Sequence, residues 1–410
     1  MGFAGVSVAT LGIGFQANAG EKTWDFETDP FDEFPYIASS QEDYVWGGQG
    51  WDDWGAEGNP GGFFSISEAT GSTWTIAVLP DIDDGAFVKA FNMKMDLRMG
   101  NGTTDRPADG ISINFARSAG PGVDGDPILA DLEGGSATQN NAAAGCCAET
   151  GTSTGVAVSF DTWAGNSLPD GPDIEGVIVR VDNKTVGRFG MPVRHGSPDD
   201  IQSLQTGPIG GSADAPDAER GDPTILSWVP LEVDVNEFGI LNVNYKNQPL
   251  VENFESGFFP SPGQIVLMGR TGGANEVHHI DNLTLKTELA NVPVITGLQA
   301  TADGFSVTFR DVEGVSVVTE TITVALDGVD VTDAVEISKD GLFTTATYKS
   351  PVIFESGSVH QVDVAADTTA DIKLGASPSF TASTYATVPA SLALEGVDTS
   401  TPGFLMYVKQ

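Results

Sequence analysis

The chain has 410 residues, 57 of them acidic against 19 basic, for a formal charge of −38. Such a balance repels phosphate backbones and anionic bilayers, so it argues against nucleic acid and acidic membranes as partners and favours cations. Fifty glycines and 23 prolines, with 40% hydrophobic residues, predict a cored and turn-rich fold with few helices.

The first segment, residues 1–20, is signal-like. An apolar run from Phe3 to Phe15 precedes Ala17-Asn18-Ala19, a small-x-small cleavage pattern. The basic residues usual ahead of such a run are missing, which leaves open a start upstream of Met1. The run is too short and glycine-rich to span a bilayer. The expectation is an exported protein, secreted or on the cell surface, with no membrane insertion.

Period-2 alternation then dominates. Phe91, Met93, Met95, Leu97 and Met99 alternate with Asn92, Lys94, Asp96 and Arg98, the pattern of a half-buried strand. "GISINFAR" (110–117), "GVAVSF" (155–160), "GVIVRV" (176–181), "WVPLEVDV" (228–235), "ILNVNY" (240–245) and "QIVLMG" (264–269) read the same way. These strands predict an all-β jelly-roll sandwich over 21–288. Beyond "TELANVPVIT" the rhythm shortens, with "FSVTF", "TITVAL", "TTATY" and "HQVDVAA" and hairpin turns at Asp327-Gly328 and Asp340-Gly341. This predicts a smaller Ig/fibronectin-like sandwich over 292–388, then a connector over 389–410.

Enzyme and cofactor signatures are weak. "GPGVDG" (120–125) has the letters of a dinucleotide loop, but its sequel opens no helix. Cys146 and Cys147 are adjacent and lack metal-site spacing. They read as unpaired thiols, a strained vicinal disulfide or an interchain link. His278 and His279 are strand neighbours facing opposite sides, so they read as structural. His360 shares a face with Val362 and Val364 and reads as packing.

The stretch "VSFDTWAGNSLPD" (158–170) ends a strand in a polar loop. Asp161 and Asp170 offer carboxylates, Asn166 an amide oxygen and Trp163 its backbone carbonyl. Ca2+ takes ~6–8 oxygen ligands. The alternative is a polar Asx turn, which the same residue types favour.

Three stretches carry a family resemblance: "ADGISINFA" (108–116), "VAVSFDTWAGNSLPD" (156–170) and "VLMGRTGGANEVHHIDNLTL" (266–285). In this order they resemble L-type (legume-like) lectins. They are similar above all to bacterial secreted surface proteins with a concanavalin A-like, laminin-G-like jelly roll followed by an Ig-like segment. The resemblance spans about residues 22–287. It implies that Asp109, often behind a cis Ala-Asp peptide, takes sugar hydroxyls. It further implies that Asp161, Trp163, Asn166 and Asp170 hold Ca2+, with Asn166 also near the sugar. Gly272, Gly273, Ala274 and Asn275 fall on a further sugar-contacting loop. Ser159 replaces an acidic residue of the family's neighbouring transition-metal site, and one extra residue separates Trp163 from Asn166. The E-x-D-x-x-E motif of hydrolases sharing this fold is absent.

The expected function is therefore a non-catalytic, secreted carbohydrate-binding or adhesion protein with a Ca2+-organised glycan site. Glycans or polysaccharides are the expected partners. The alternative is a structural cell-surface or extracellular assembly protein that binds no glycan and associates with itself or with neighbouring modules.

Overall fold

The computed structural model describes residues 20–41, 46–47, 54–118, 148–165, 167–168, 171–211, 214–312 and 314–382. Residues 1–19 of the signal-like segment, the 120–125 glycine pattern, Cys146, Cys147 and the 389–410 connector lie outside the described residues. So do Asn166 and Asp170.

The fold is all-β, with only short 3-10 turns between strands among the described residues. Two antiparallel sheets form the first body. The seven-stranded sheet runs Lys184–Gly190, Gly176–Val181, Val156–Asp161, Gly110–Arg117, Gly263–Arg270, Trp74–Val78 and Tyr36–Ser39 from edge to edge. The other sheet has Val88–Gly100 and Val277–Leu289 at its centre, flanked by Val229–Val235 and Phe63–Ser67. Neighbouring strands are often far apart in sequence, as a jelly roll requires.

The alternation explains the layers. Phe91, Met93, Met95, Leu97 and Met99 point inward from one sheet to meet Ile111, Ile113, Phe115, Val158 and Phe160 of the other. Phe91 stacks on Phe115 with ring centroids 4.3 Å apart. The opposite face of the seven-stranded sheet is also covered. Ile76, Val78, Ala116, Val266 and Met268 pack there with Ala148 of a short turn, Ala148–Thr150. Ser112 and Ser159 sit on that covered face, and so does Asp161, because side chains alternate.

A second body contains its own two sheets. Val294–Ala300, Gly304–Arg310, Phe343–Lys349 and Val335–Asp340 form one, and Val329–Asp330, Thr323–Leu326, Val359–Asp367, Lys373–Ala376 and Ser379–Thr381 the other. Its core of Phe305, Val307, Phe309, Val324, Val362 and Val364 is separate from the first. Asp327-Gly328 makes a hairpin turn as expected, with φ of 50° and 76°. The second hairpin differs: Asp340 pairs with Phe343, so its two-residue loop is Gly341-Leu342. Gly341, at φ 56°, supplies the left-handed residue one step later than the sequence pattern suggests. His360 packs on Phe354 and Phe380 and lies 2.7 Å from Asp327, so it is both packing and hydrogen-bond partner.

Candidate functional site

The site is built on two neighbouring strands. Gly110, which opens Gly110–Arg117, pairs with Asp161, which ends Val156–Asp161. The chain passes so closely there that a Cβ at Gly110 would sit 2.3 Å from the Phe160 carbonyl oxygen, and its φ of 143° suits only glycine. Asp109 and Asp161 are thereby fixed at one end of the sheet. The Ala108-Asp109 peptide is cis. Thr162 ties the two chain segments, donating its N–H to the Asp109 carbonyl at 2.9 Å, with its hydroxyl 3.2 Å from the same oxygen.

Asp161 is buried, at 1% exposure. One carboxylate oxygen accepts the Trp163 N–H at 2.9 Å. The other, Oδ2, is enclosed and has no hydrogen-bond partner. Asp173 lies within hydrogen-bond reach of the Asp161 carboxyl, and also accepts the Gly165 N–H at 3.0 Å. Burial, then repulsion from Asp173 and Glu149, pushes the Asp161 carboxyl well above the usual carboxylate range. An enclosed carboxylate with a spare oxygen and a second carboxylate beside it is a donor set that suits a hard cation. The Arg106 guanidinium lies 4.2 Å from the centre of the Trp163 ring. Among the described residues no group of three or more His, Cys, Asp or Glu could hold a metal ion. The remaining expected ligands, Asn166 and Asp170, are not among those residues.

Asp109 is 6% exposed. Its Oδ2 lies 3.4 Å from Arg270 Nε, and that same nitrogen donates to Glu149 at 2.8 Å. Burial raises the Asp109 carboxyl, Arg270 pulls it down and Glu276 adds to the rise, leaving it above its ordinary value. Glu149 is fully buried, and burial, countered by Arg270, lifts its carboxyl to about 7. Beneath Asp109, the fully buried Glu276 takes the Thr162 hydroxyl and lies 3.1 Å from His278 Nε2, while His278 Nδ1 is 2.6 Å from the Ser67 hydroxyl. His279 faces the other way, 2.6 Å from Glu68 and 2.9 Å from Arg98. The two histidines are thus on opposite sides, each committed to a buried network.

The 272–275 turn borders Asp109. A Cβ at Gly272 would come within 2.9 Å of Asp109 Oδ2, so only glycine fits without displacing the carboxylate. Gly273 is exposed, and Ala274 closes the turn by accepting the Gly272 N–H at 3.1 Å. Asn275 is engaged elsewhere. Its side chain is 4% exposed and bonds Thr103 through both its oxygen (2.8 Å to the N–H) and its nitrogen (2.9 Å to the hydroxyl). It pins the 102–104 turn and offers no free amide at the surface.

Sequence reasoning missed Asp173, Glu149, Arg270 and Glu276. Asp173 carried a faint signal as the last acid of "LPDGPD". The others come from distant segments and gather only in the fold.

No family model matches this chain, and no curated protein matches it. Among solved structures it is similar to the exoplasmic/lumenal domain of VIP36 in its Ca2+/Man3GlcNAc-bound form, at 14% identity and a TM-score of 0.32, covering 56% of this chain and 79% of that one. The carbohydrate recognition domain of Emp47p aligns at 16% identity and a TM-score of 0.29, covering 60% and 89%. Lectin II from Ulex europaeus aligns at 11% identity and a TM-score of 0.33, covering 62% and 100%.

Proposed function

We propose that this protein is a non-catalytic carbohydrate-binding or adhesion protein whose glycan site is organised by Ca2+. The observation that carries the reading is Asp161, buried with an unpartnered Oδ2 and with Asp173 in reach. Asp161, the Trp163 carbonyl and Asp173 would hold the ion, together with Asn166 and Asp170. Its chemical contribution is neutralisation of carboxylates that otherwise repel each other.

The chain's own residues do the rest. Thr162 transmits the position of the cation loop to the Asp109 backbone. Asp109 accepts ligand hydroxyls, and the exposed backbone of Gly273 and Ala274 frames them. Preorganisation of this kind lowers the ordering cost of binding. In this reading the signal-like 1–20 segment exports the protein, and the second body acts as an Ig-like spacer.

Calorimetric titration of chelator-treated protein tests the cation claim. Wild type binds Ca2+ at millimolar concentration or tighter, and Asp161→Ala does not. Absence of Ca2+ binding by wild type in that range overturns the reading and leaves a polar turn.

A further inference from the structure

We infer that processing of this chain between Ala19 and Gly20 builds a structural contact: the ammonium created on Gly20 docks against Asp83 and pins the first strand to its sheet. The inference rests on the export reading above and is independent of the glycan site.

The scissile bond comes from the sequence. Ala17-Asn18-Ala19 places small residues three and one positions before it, behind the apolar run from Phe3 to Phe15. Hydrolysis of the Ala19–Gly20 amide by a signal peptidase consumes one water. It leaves a carboxylate on Ala19 and an ammonium on Gly20. The amide nitrogen carries one N–H, whereas the ammonium carries three and a positive charge.

The fold shows what that nitrogen meets. Gly20 directly precedes the strand Glu21–Trp24, which pairs with Val277–Leu289. Its N–H donates to the Thr287 hydroxyl at 3.2 Å, and the Thr287 N–H donates back to its carbonyl at 2.9 Å. The Thr287 hydroxyl donates in turn to Asp83 Oδ1 at 2.9 Å. A Cβ on Gly20 would stand 2.5 Å from Asp83 Oδ1 and 2.7 Å from Thr287 Oγ1. Gly20 therefore lies against the carboxylate already, and a charge placed there needs no new opening.

Asp83 is suited to receive it. Its other oxygen, Oδ2, is enclosed and has no hydrogen-bond partner among the described residues. Burial lifts the Asp83 carboxyl above its ordinary value against the Thr287 hydrogen bond, and Asp81 and Asp84 add to the rise. Asp81 is committed to the turn, accepting the N–H groups of Asp83 (2.8 Å) and Gly85 (2.8 Å). That turn holds the Asp83 backbone in place beneath Gly20. While residues 1–19 stay attached, the Gly20 nitrogen is a neutral amide and supplies no charge. Once it is free, one N–H keeps Thr287 and the others serve Asp83, as an opposite charge favours the ionised carboxylate.

The test expresses the full chain in a bacterial host, recovers it outside the cytoplasm and reads its first residue by N-terminal sequencing. Wild type, Asp83→Asn and Gly20→Ala are then treated with trace acetic anhydride near pH 7, where an α-amine is far more reactive than lysine. Mass spectrometry follows acetylation of residue 20. Wild type should begin at Gly20, and its α-amine should acetylate at least about threefold more slowly than that of Asp83→Asn, because the carboxylate holds it protonated. Gly20→Ala, cut at the same bond, should lose this protection too, since its Cβ crowds the contact; it serves alone if Asp83→Asn does not fold. Complete acetylation should lower the wild-type Tm by about 1–3 °C, the scale of one partly screened ion pair, and leave that of Asp83→Asn unchanged. A Gly20 start with equal acetylation rates, or with the same Tm loss in wild type and Asp83→Asn, would overturn the docking. Export with a different first residue overturns the inference and leaves the export reading standing, whereas a chain that keeps residues 1–19 overturns both.

Discussion

Thr162 donates its N–H to the Asp109 carbonyl at 2.9 Å, and its hydroxyl, which Glu276 takes, lies 3.2 Å from the same oxygen. Residues 53 apart in sequence are thereby joined at the end of two paired strands. In the proposed reading this relationship couples the cation loop to the acceptor, because Thr162 lies between Asp161 and Trp163. Anything that opens the loop also moves Asp109.

The first prediction follows from Asp161. Its ionised form is disfavoured by burial and by Asp173. Asp161→Asn should therefore stabilise chelator-treated protein at neutral pH, by about 1 kcal/mol or more. Ca2+ should raise the Tm of wild type by mass action and leave the Tm of Asp161→Asn unchanged. Thermal melts with and without chelator check both. A variant less stable than wild type in chelator would contradict the account of an uncompensated carboxylate.

A second prediction concerns pH. Burial lifts Glu68 to about 8, against the pull of its hydrogen bond from Ser65 and of Arg98. Its side chain is 18% exposed, 2.6 Å from His279. A carboxyl raised on folding binds its proton more tightly in the native state. Its contribution is present below the ordinary carboxylate range and is lost as pH rises from there toward about 8. Wild-type stability should fall by roughly 1–2 kcal/mol across this window after allowance for solvent screening of the partly exposed carboxyl. Glu68→Gln should lack that component, as urea melts at several pH values would show. Equal slopes for the two proteins would sink the idea.

Third, Lys246 acts as a tethered cation. It is buried, and its ammonium donates to the carbonyls of Asp200 (2.8 Å), Ser203 (2.8 Å) and Gln205 (2.7 Å). Burial lowers its pKa to about 8. Lys246→Met removes all three bonds and should cost about 2–4 kcal/mol. Hydrogen exchange should quicken in the 200–205 segment first. Unchanged protection there would show that other contacts hold it.

Fourth, the stacked Phe91 and Phe115 rings join the two sheets. Phe115→Ala should destabilise the first body by about 3–5 kcal/mol. Denaturant melts followed by tryptophan fluorescence report it, and a loss below ~1 kcal/mol would contradict the assignment of this pair to the main core.

The fold was legible because apolar side chains have a period. Phe91 to Leu97 alternate with less buried residues until the buried Arg98 breaks the pattern, and "GISINFAR" coincides with the Gly110–Arg117 strand, which is buried on both faces. Turn chemistry was less legible: Asp340 looks like a turn residue but ends its strand, since Gly341 provides the needed backbone. Of the candidate site, the sequence offered only residues that are local, such as Asp161 and Trp163. Glu149 and Arg270 meet Asp109 from separate segments, and no spacing announces that. Asn275 shows the converse. Its place on the 272–275 turn beside Asp109 is visible in the sequence, but its amide is spent on Thr103, which the sequence cannot reveal.

The central claim is that a Ca2+-organised loop readies Asp109 for glycan hydroxyls, and a glycan array run with Ca2+ and with chelator tests it most directly. Wild type should bind a set of neutral glycans in Ca2+ and lose them in chelator. Asp109→Ala should bind none while still binding Ca2+ and gaining Tm from it. Glycan binding that survives both chelation and Asp109→Ala, or no binding by wild type under any condition, would contradict the account.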